Sequence, residues 1–325
     1  MTVDRSGESF LRAPRGLAVP AFAIVGAVLV VWRLLGLSPW VHPNLDFHVY
    51  WATGEGIRYA VASPFTIGSY LYSPAFAQAI GPLTVLPWPA FAGVWTAILM
   101  VTLGWLAGRW ALAALLMPPV ALGIYLGQID LLIGAAIVLG FRYPAAWALP
   151  LLTKVSPGVG LVWFLVRREW GALWIAFAAS VGIVAISAAA DPASWAGWVE
   201  LLRRSGGSPP VTGLDYLPVP LLLRMPIAIA LVAWGARTNR RWTVAVAAAL
   251  AMPILWLNTI AVVVAALPLL GHGPAARVAL SPTPQFGRGM GVRLAGGPLS
   301  RIARALGLRP PVREGAPNTE TMGRR

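Results

Sequence analysis

Apolar residues run in long blocks along this chain, and the polar residues gather between the blocks. The first block, residues 18–37, is long enough to cross a bilayer, which takes about 20 residues per helix. A polar stretch, 38–69, follows it. Residues 71–86 and 88–106 are predicted to run back and out again, with Pro87 and Pro89 marking the turn. Two shorter apolar pieces, 109–126 and 131–141, are separated by Gly127-Gln128-Ile129-Asp130. Block 145–166 reads as one span ending at Arg167-Arg168, and 172–190 leads to a second polar stretch, 191–216. Block 217–234 returns to Arg237, Arg240 and Arg241. The last block, 244–270, contains Pro253. Proline removes a helical N–H and clashes with the preceding turn, so this block is predicted to break into two shorter helices. None of the blocks shows the alternating pattern of a membrane β-barrel. The pattern predicts an all-α, polytopic transmembrane bundle of about ten helices, several of them short, with eight to twelve as the range.

Composition agrees. Of 325 residues, 58% are hydrophobic and 11% charged, with a mean hydropathy of +0.72. A soluble domain carries about 25% charged residues. Charge placement then orients the bundle. Arg5, Arg12 and Arg15 precede the first block, and the arginine groups at 167–168 and 237–241 fall on the same side under the positive-inside rule. The expected organisation is a cytoplasmic segment 1–17, a transmembrane domain 18–270 with outer loops 38–69 and 191–216, and a basic, disordered cytoplasmic tail 271–325. That tail holds nine arginines against Glu314 and Glu320 in a chain of net charge +14. Anionic lipid, rather than nucleic acid, is its expected partner. Of the 25 basic residues only Lys154 is lysine; with abundant Ala and Gly, this bias suggests a GC-rich bacterial source and a multi-pass bacterial cell-membrane protein. Cysteine is absent, and His42, His48 and His272 are scattered, so neither a disulfide nor a metal site is expected.

With so few charges, each polar residue near the membrane needs a reason. Asn44-Leu45-Asp46-Phe47-His48-Val49-Tyr50-Trp51 follows the first block. A carboxylate there, flanked by aromatics, can serve as a general base toward a hydroxyl, with partial burial raising its pKa. The alternative is a solvated Asp in an interfacial aromatic belt. Asp130 is a functional candidate as an ionisable residue between apolar pieces, or equally the cap of the following helix. Lys154 should face a cavity, pair with a carboxylate or snorkel to the interface. In the second outer loop, Trp195, Trp198, Val199 and Leu202 recur at helical spacing, which suggests a short amphipathic helix on the membrane. Arg203 and Arg204 close it, suited by their planar forks to a lipid phosphate or to headgroups.

Taken in order, several stretches resemble glycosyltransferase family 87 of the GT-C superfamily, membrane transferases that use polyprenyl-phosphate sugars. They are Asp46-Phe47-His48-Val49-Tyr50, Tyr72-Ser73-Pro74-Ala75-Phe76, Pro82-Leu83 with Leu86-Pro87, Gly127-Gln128-Ile129-Asp130-Leu131-Leu132, Lys154 with Pro157, and Pro253 to Trp256. The resemblance implies a GT-C fold with an outward-facing site, in which Asp46 is the catalytic base and a polyprenyl-phosphate sugar, mannose by expectation, is the donor. The acceptor would be a glycolipid or glycan, and no cofactor or metal is implied. The expected substrate contacts are His48, Tyr50, Tyr72, Gln128, Lys154, Trp256 and Asn258. Arg58, Arg203 and Arg204 join them by charge and location, to compensate the phosphate. Two positions depart from the family pattern: Asn258 stands where a His is usual, and Asp130 where an Asn is usual. The competing readings are a transporter or lipid flippase, and a non-catalytic relative of the family.

Overall fold

The computed structural model describes residues 17–36, 46–60, 68–204 and 217–281. The N-terminal segment, His42, most of the loop following residue 204 and the tail beyond 281 lie outside the described residues. Among those described, the regular elements are helical.

Helix α1 (Ala18–Leu34) lies along α4 (Trp88–Ala107). The two approach closely because Gly93 offers no side chain: a Cβ there would stand 2.4 Å from Leu34 Cγ. Small residues at such contacts are how helices associate in lipid, where apolar burial alone gives little drive. Helix α2 (Asp46–Ala52) and α3 (Pro74–Thr84) are short. The expected span 71–86 is therefore corrected to an 11-residue helix. Extended backbone at Ser73 feeds Pro74 at the helix start, where a missing N–H costs nothing, and Tyr70 to Ser73 stay outside it.

After α4, a 3-10 turn leads into α5 (Ala111–Leu115), so that Trp88–Leu115 is a 28-residue apolar run. Helices α6 (Pro118–Leu126) and α7 (Asp130–Gly140) meet at 108°, a broken or re-entrant pair. The bend is written in Gly127. Its φ of +73° ends α6, and the N–H groups of Gly127 and Gln128 close back on Ile124 O and Gly123 O in a Schellman arrangement.

Block 145–166, expected as a single span, is instead two pieces. A 3-10 turn at Pro144–Trp147 leads into α8 (Ala148–Thr153), and a second at Ser156–Leu161 leads into α9 (Val162–Val166). Pro157 disfavours helix at the residue before it. Val155, at φ +52°, occupies backbone that a β-branched residue rarely adopts, so the break at Lys154-Val155 carries local strain. Helix α10 (Trp170–Ala190) is long and apolar, with Trp174, Val181 and Ile186 exposed as a lipid-facing helix would have them. Helix α11 (Pro192–Arg204) is the expected amphipathic helix, with the Asp191 carboxylate accepting from Ser194 N at 3.0 Å at its start.

Helices α12 (Leu221–Thr238) and α13 (Trp242–Leu250) form the next hairpin. The break expected at Pro253 is present. Residues 251–256 are not helical, and a 3-10 segment, Leu257–Ala265, runs into α14 (Ala266–Leu269). Packing continues through α15 (Ala276–Ala279), where Ala275 and Ala279 are buried. Three helical stretches, those starting at Trp88, Trp170 and Leu221, are long and apolar enough to span a membrane, and the α6–α7 pair makes a fourth. Shorter apolar pieces, including α1, fill in between.

The broken helix at Pro253 is held by a buried arginine. Arg224 of α12 donates from Nε to Val219 O (2.7 Å), from Nη1 to Leu250 O (2.5 Å) and Met252 O (2.9 Å), and from Nη2 to Pro253 O (3.4 Å). Backbone that leaves a helix at membrane depth must have its carbonyls satisfied by protein. Arg224→Met is therefore expected to lower the thermal unfolding midpoint in detergent by several degrees, since orphaning even one or two of these acceptors costs about 1–3 kcal/mol each. An unchanged midpoint would show that the break does not depend on the guanidinium.

Candidate active site

The site forms where α2 meets the turn between α6 and α7. Asp46 is the first residue of α2, and Phe47 beside it presses on Gly127. A Cβ at Gly127 would fall 2.5 Å from Phe47 Cβ, so both the positive φ and the close approach require glycine there. Trp95 Nε1 donates to Gly127 O at 2.8 Å and anchors the turn on α4. With the turn fixed, Gln128 Nε2 donates to Asp46 Oδ2.

Tyrosines extend this contact into a network. Tyr72 OH donates to Gln128 Oε1 at 3.5 Å, and Tyr50 OH donates to Tyr72 OH at 3.1 Å. Tyr59 OH donates to Tyr72 O at 3.0 Å. The Tyr50 ring stacks edge-on against Tyr72, Phe76 and Trp95. His48 sits on the other face of α2, its ring 4.8 Å from that of Trp88, and Trp51 Nε1 ties the helix to Leu86 O at 2.8 Å.

Beside this network lies an ion pair. Lys154 Nζ stands 2.7 Å from Asp130 Oδ1, with side chains 12% and 1% exposed. Of the three options for Lys154, the structure selects pairing with a carboxylate. It also corrects the capping role considered for Asp130, which is the first residue of α7 and turns its carboxylate to Lys154 instead. The second oxygen, Asp130 Oδ2, is buried without a hydrogen-bond partner among the described residues. Burial pushes the Asp46 carboxyl up to about 7; the Lys154 charge and the Gln128 amide pull it down, and Asp130 pushes it up. A carboxyl with a pKa near 7 is matched to proton transfer at neutral pH.

A family model described as glycosyltransferase family 87 matches residues 70–281, well over half of the chain. The chain belongs to glycosyltransferase family 87. It is accordingly a membrane glycosyltransferase. Comparison with curated proteins and with solved structures returned no match.

The family 87 match takes in Tyr72, Gln128, Asp130, Lys154, Trp256 and Asn258 but begins after Asp46. Asp46 joins the matched region through its contact with Gln128, 82 positions along the chain. Trp256 precedes the last 3-10 segment, on which Asn258 is buried close to Gly123 of α6. Asn258 Nδ2 is buried with no hydrogen-bond partner among the described residues, an unspent donor one turn of α6 from the Gln128 bend. The three proposed phosphate arginines are not joined to the Asp46 network by any hydrogen bond or ion pair among the described residues. Arg58 is exposed after the turn Thr53–Glu55, while Arg203 and Arg204 pair with Glu200 at 4.0 and 2.7 Å on the exposed side of α11. The amphipathic helix itself does reach the site. Trp198 Nε1 donates to Leu71 O, next to Tyr72, at 3.2 Å, and Gly197 lies under the Tyr59 ring.

Sequence reasoning missed Tyr59, Trp95 and Arg33. The first two are aromatics without a distinguishing pattern in the sequence. Arg33 carried a signal, a cation in the last turn of the first span on its expected outer side, against the positive-inside trend. Among the described residues, no group of three or more histidines and carboxylates is placed to hold a metal ion.

Proposed function

We propose that this family 87 enzyme transfers a sugar, mannose, from a polyprenyl phosphate to a lipid or glycan acceptor on the outer side of a bacterial cell membrane, with Asp46 as the base. The observation that carries the reading is the Asp46 carboxylate held by Gln128, whose amide oxygen in turn accepts from Tyr72, in a setting where desolvation raises the carboxyl to about 7. The acceptor hydroxyl attacks the anomeric carbon and gives its proton to Asp46. The bond from that carbon to the phosphate oxygen breaks, and the polyprenyl phosphate leaves with the electron pair. Such a leaving group is stabilised electrostatically, by cations placed where charge develops. Lys154, whose charge acts on Asp46, is the inner candidate, and Arg58, Arg203 and Arg204 are the outer candidates. Tyr50, Tyr72, His48 and Trp256 offer rings and hydrogen bonds to a sugar, and the Asn258 amide offers a free donor.

A buried charge pair such as Lys154–Asp130 is also what a transporter would use. Family membership and the base-like carboxylate beside the pair favour chemistry. One experiment separates them: purified protein with radiolabelled polyprenyl-phosphate mannose and a membrane lipid extract. Label in a new glycolipid is the expected result. Flipping of the donor in proteoliposomes without any transfer would replace this reading with the transporter. A tag in the 38–69 loop is expected to be labelled from outside; cytoplasmic labelling would overturn the outward-facing site.

A further inference from the structure

We propose that Arg33 is a positioning residue for the reaction, holding Asp46 and Gln128 against each other from the outer end of α1; the role rests on the function proposed above. Arg33 is 6% exposed, and its Nη2 donates to Tyr125 O at 2.9 Å. The guanidinium lies 4.8 Å over the Phe47 ring and 5.6 Å over the Tyr125 ring. Phe47 is the chain neighbour of Asp46, and Tyr125 lies three residues before Gln128. One side chain therefore grips both the segment that carries the base and the segment that carries its hydrogen-bond partner. Gly127 completes the clamp, because Phe47 is pressed between Arg33 and the bend.

The chemistry of the contact suits this role. Tyr125 is in the last turn of α6, where the Schellman bonds satisfy the carbonyls of Gly123 and Ile124 but leave that of Tyr125. A cation at a helix C-terminus meets both the orphan carbonyl and the negative end of the helix. A buried guanidinium is costly to desolvate, and a leucine or phenylalanine would pack the end of α1 more cheaply. What an apolar residue lacks is a directional bond to α6 together with an attraction to the face of Phe47. Misplacing a base by an ångström can cost about a hundredfold in rate. Nothing else in α1 touches both segments through polar or cation–π contacts among the described residues.

The test measures kcat, donor KM and the pH dependence of sugar transfer in full-length Arg33→Leu, Arg33→Lys and Phe47→Leu. Arg33→Leu is expected to lower kcat by about 10- to 100-fold with donor KM within about twofold. Its acid limb should move to higher pH, since Asp46, faced also by Lys154, Asp130, Tyr50 and Tyr72, loses the Gln128 donor. Arg33→Lys, which keeps a cation and a donor, should recover most of the rate, and Phe47→Leu should move the limb in the same direction. In a Gln128→Leu background, adding Arg33→Leu should shift the limb no further. A wild-type kcat and limb in Arg33→Leu would overturn the proposal, as would a lowered melting midpoint with wild-type turnover per folded molecule. If Arg33→Leu does not fold, Arg33→Gln replaces it, and a wild-type limb there overturns the proposal equally. Asp46→Asn is run in parallel: wild-type turnover in that variant removes Asp46 as the base, and with it the reading on which this role rests, whereas a strongly impaired Asp46→Asn beside an unaltered Arg33→Leu removes only the role of Arg33.

Discussion

Asp46→Asn is expected to reduce sugar transfer by about 10²–10⁴-fold, the usual contribution of a positioned general base, while the protein still inserts and folds. Asparagine has the same shape and keeps an oxygen that can accept from Gln128 Nε2, so the bend between α6 and α7 retains its partner. What is lost is the group that takes the acceptor proton. The wild-type rate should rise with pH through an acid limb near 7, where the carboxyl ionises, and the variant's residual rate should show no such limb. Stability moves oppositely. The folded-state pKa of Asp46 is raised above its ordinary value of 3.8, so its favourable contribution is complete below about pH 4. That contribution disappears as pH rises through about 7, because a buried carboxylate must then carry charge. Melting curves should therefore place the Asn variant level with wild type below about pH 4, increasingly above it as pH rises toward 7, and furthest above it at pH 8. Wild-type turnover in Asp46→Asn would remove this carboxylate from the mechanism; a midpoint that does not gain on wild type at high pH would show that it is not buried as described.

Much of the bundle was legible because lipid imposes simple rules. Apolar blocks located α1, α4, α10 and α12 to within a few residues, and Pro253 marked a real break. The pattern failed where the chain leaves a helix for a tertiary reason. Nothing in the composition of 145–166 announces that Val155 takes a positive φ so that Lys154 can reach Asp130, 24 positions earlier. Arg224 is a similar case: its hydropathy counts against a span, yet its guanidinium is consumed by backbone carbonyls that appear only once Pro253 has broken the helix. At the site, the motif order named Asp46, Tyr72, Gln128 and Lys154, and the structure brings these together. Charge and location named Arg58, Arg203 and Arg204, and the structure leaves them outside the network. Asp46 and Tyr72 bond to Gln128 across 82 and 56 positions of chain, whereas the exposed arginines make no hydrogen bond or ion pair with that network among the described residues.

Removing the charge of Lys154 alone is expected to be the most destabilising single change at the site. Asp130 is 1% exposed, and one of its oxygens already lacks a partner among the described residues. Lys154→Met would strip its remaining partner, and breaking a buried pair on one side costs about 3–5 kcal/mol. Replacing both members by apolar residues of similar size is often neutral by contrast, so Lys154→Met with Asp130→Leu should recover most of the lost melting temperature. Activity then decides what the pair is for. Lys154 lowers the Asp46 pKa by more than Asp130 raises it, so the double variant should fold well and yet show its acid limb above about 7, with a depressed rate at neutral pH. A double variant with wild-type rate and limb would make the pair a structural strut between α7 and the end of α8. An Asn at position 130 could not neutralise a lysine held this deep, and the Asp that stands there keeps the cation beside Asp46 without leaving its charge unpaired in the bundle.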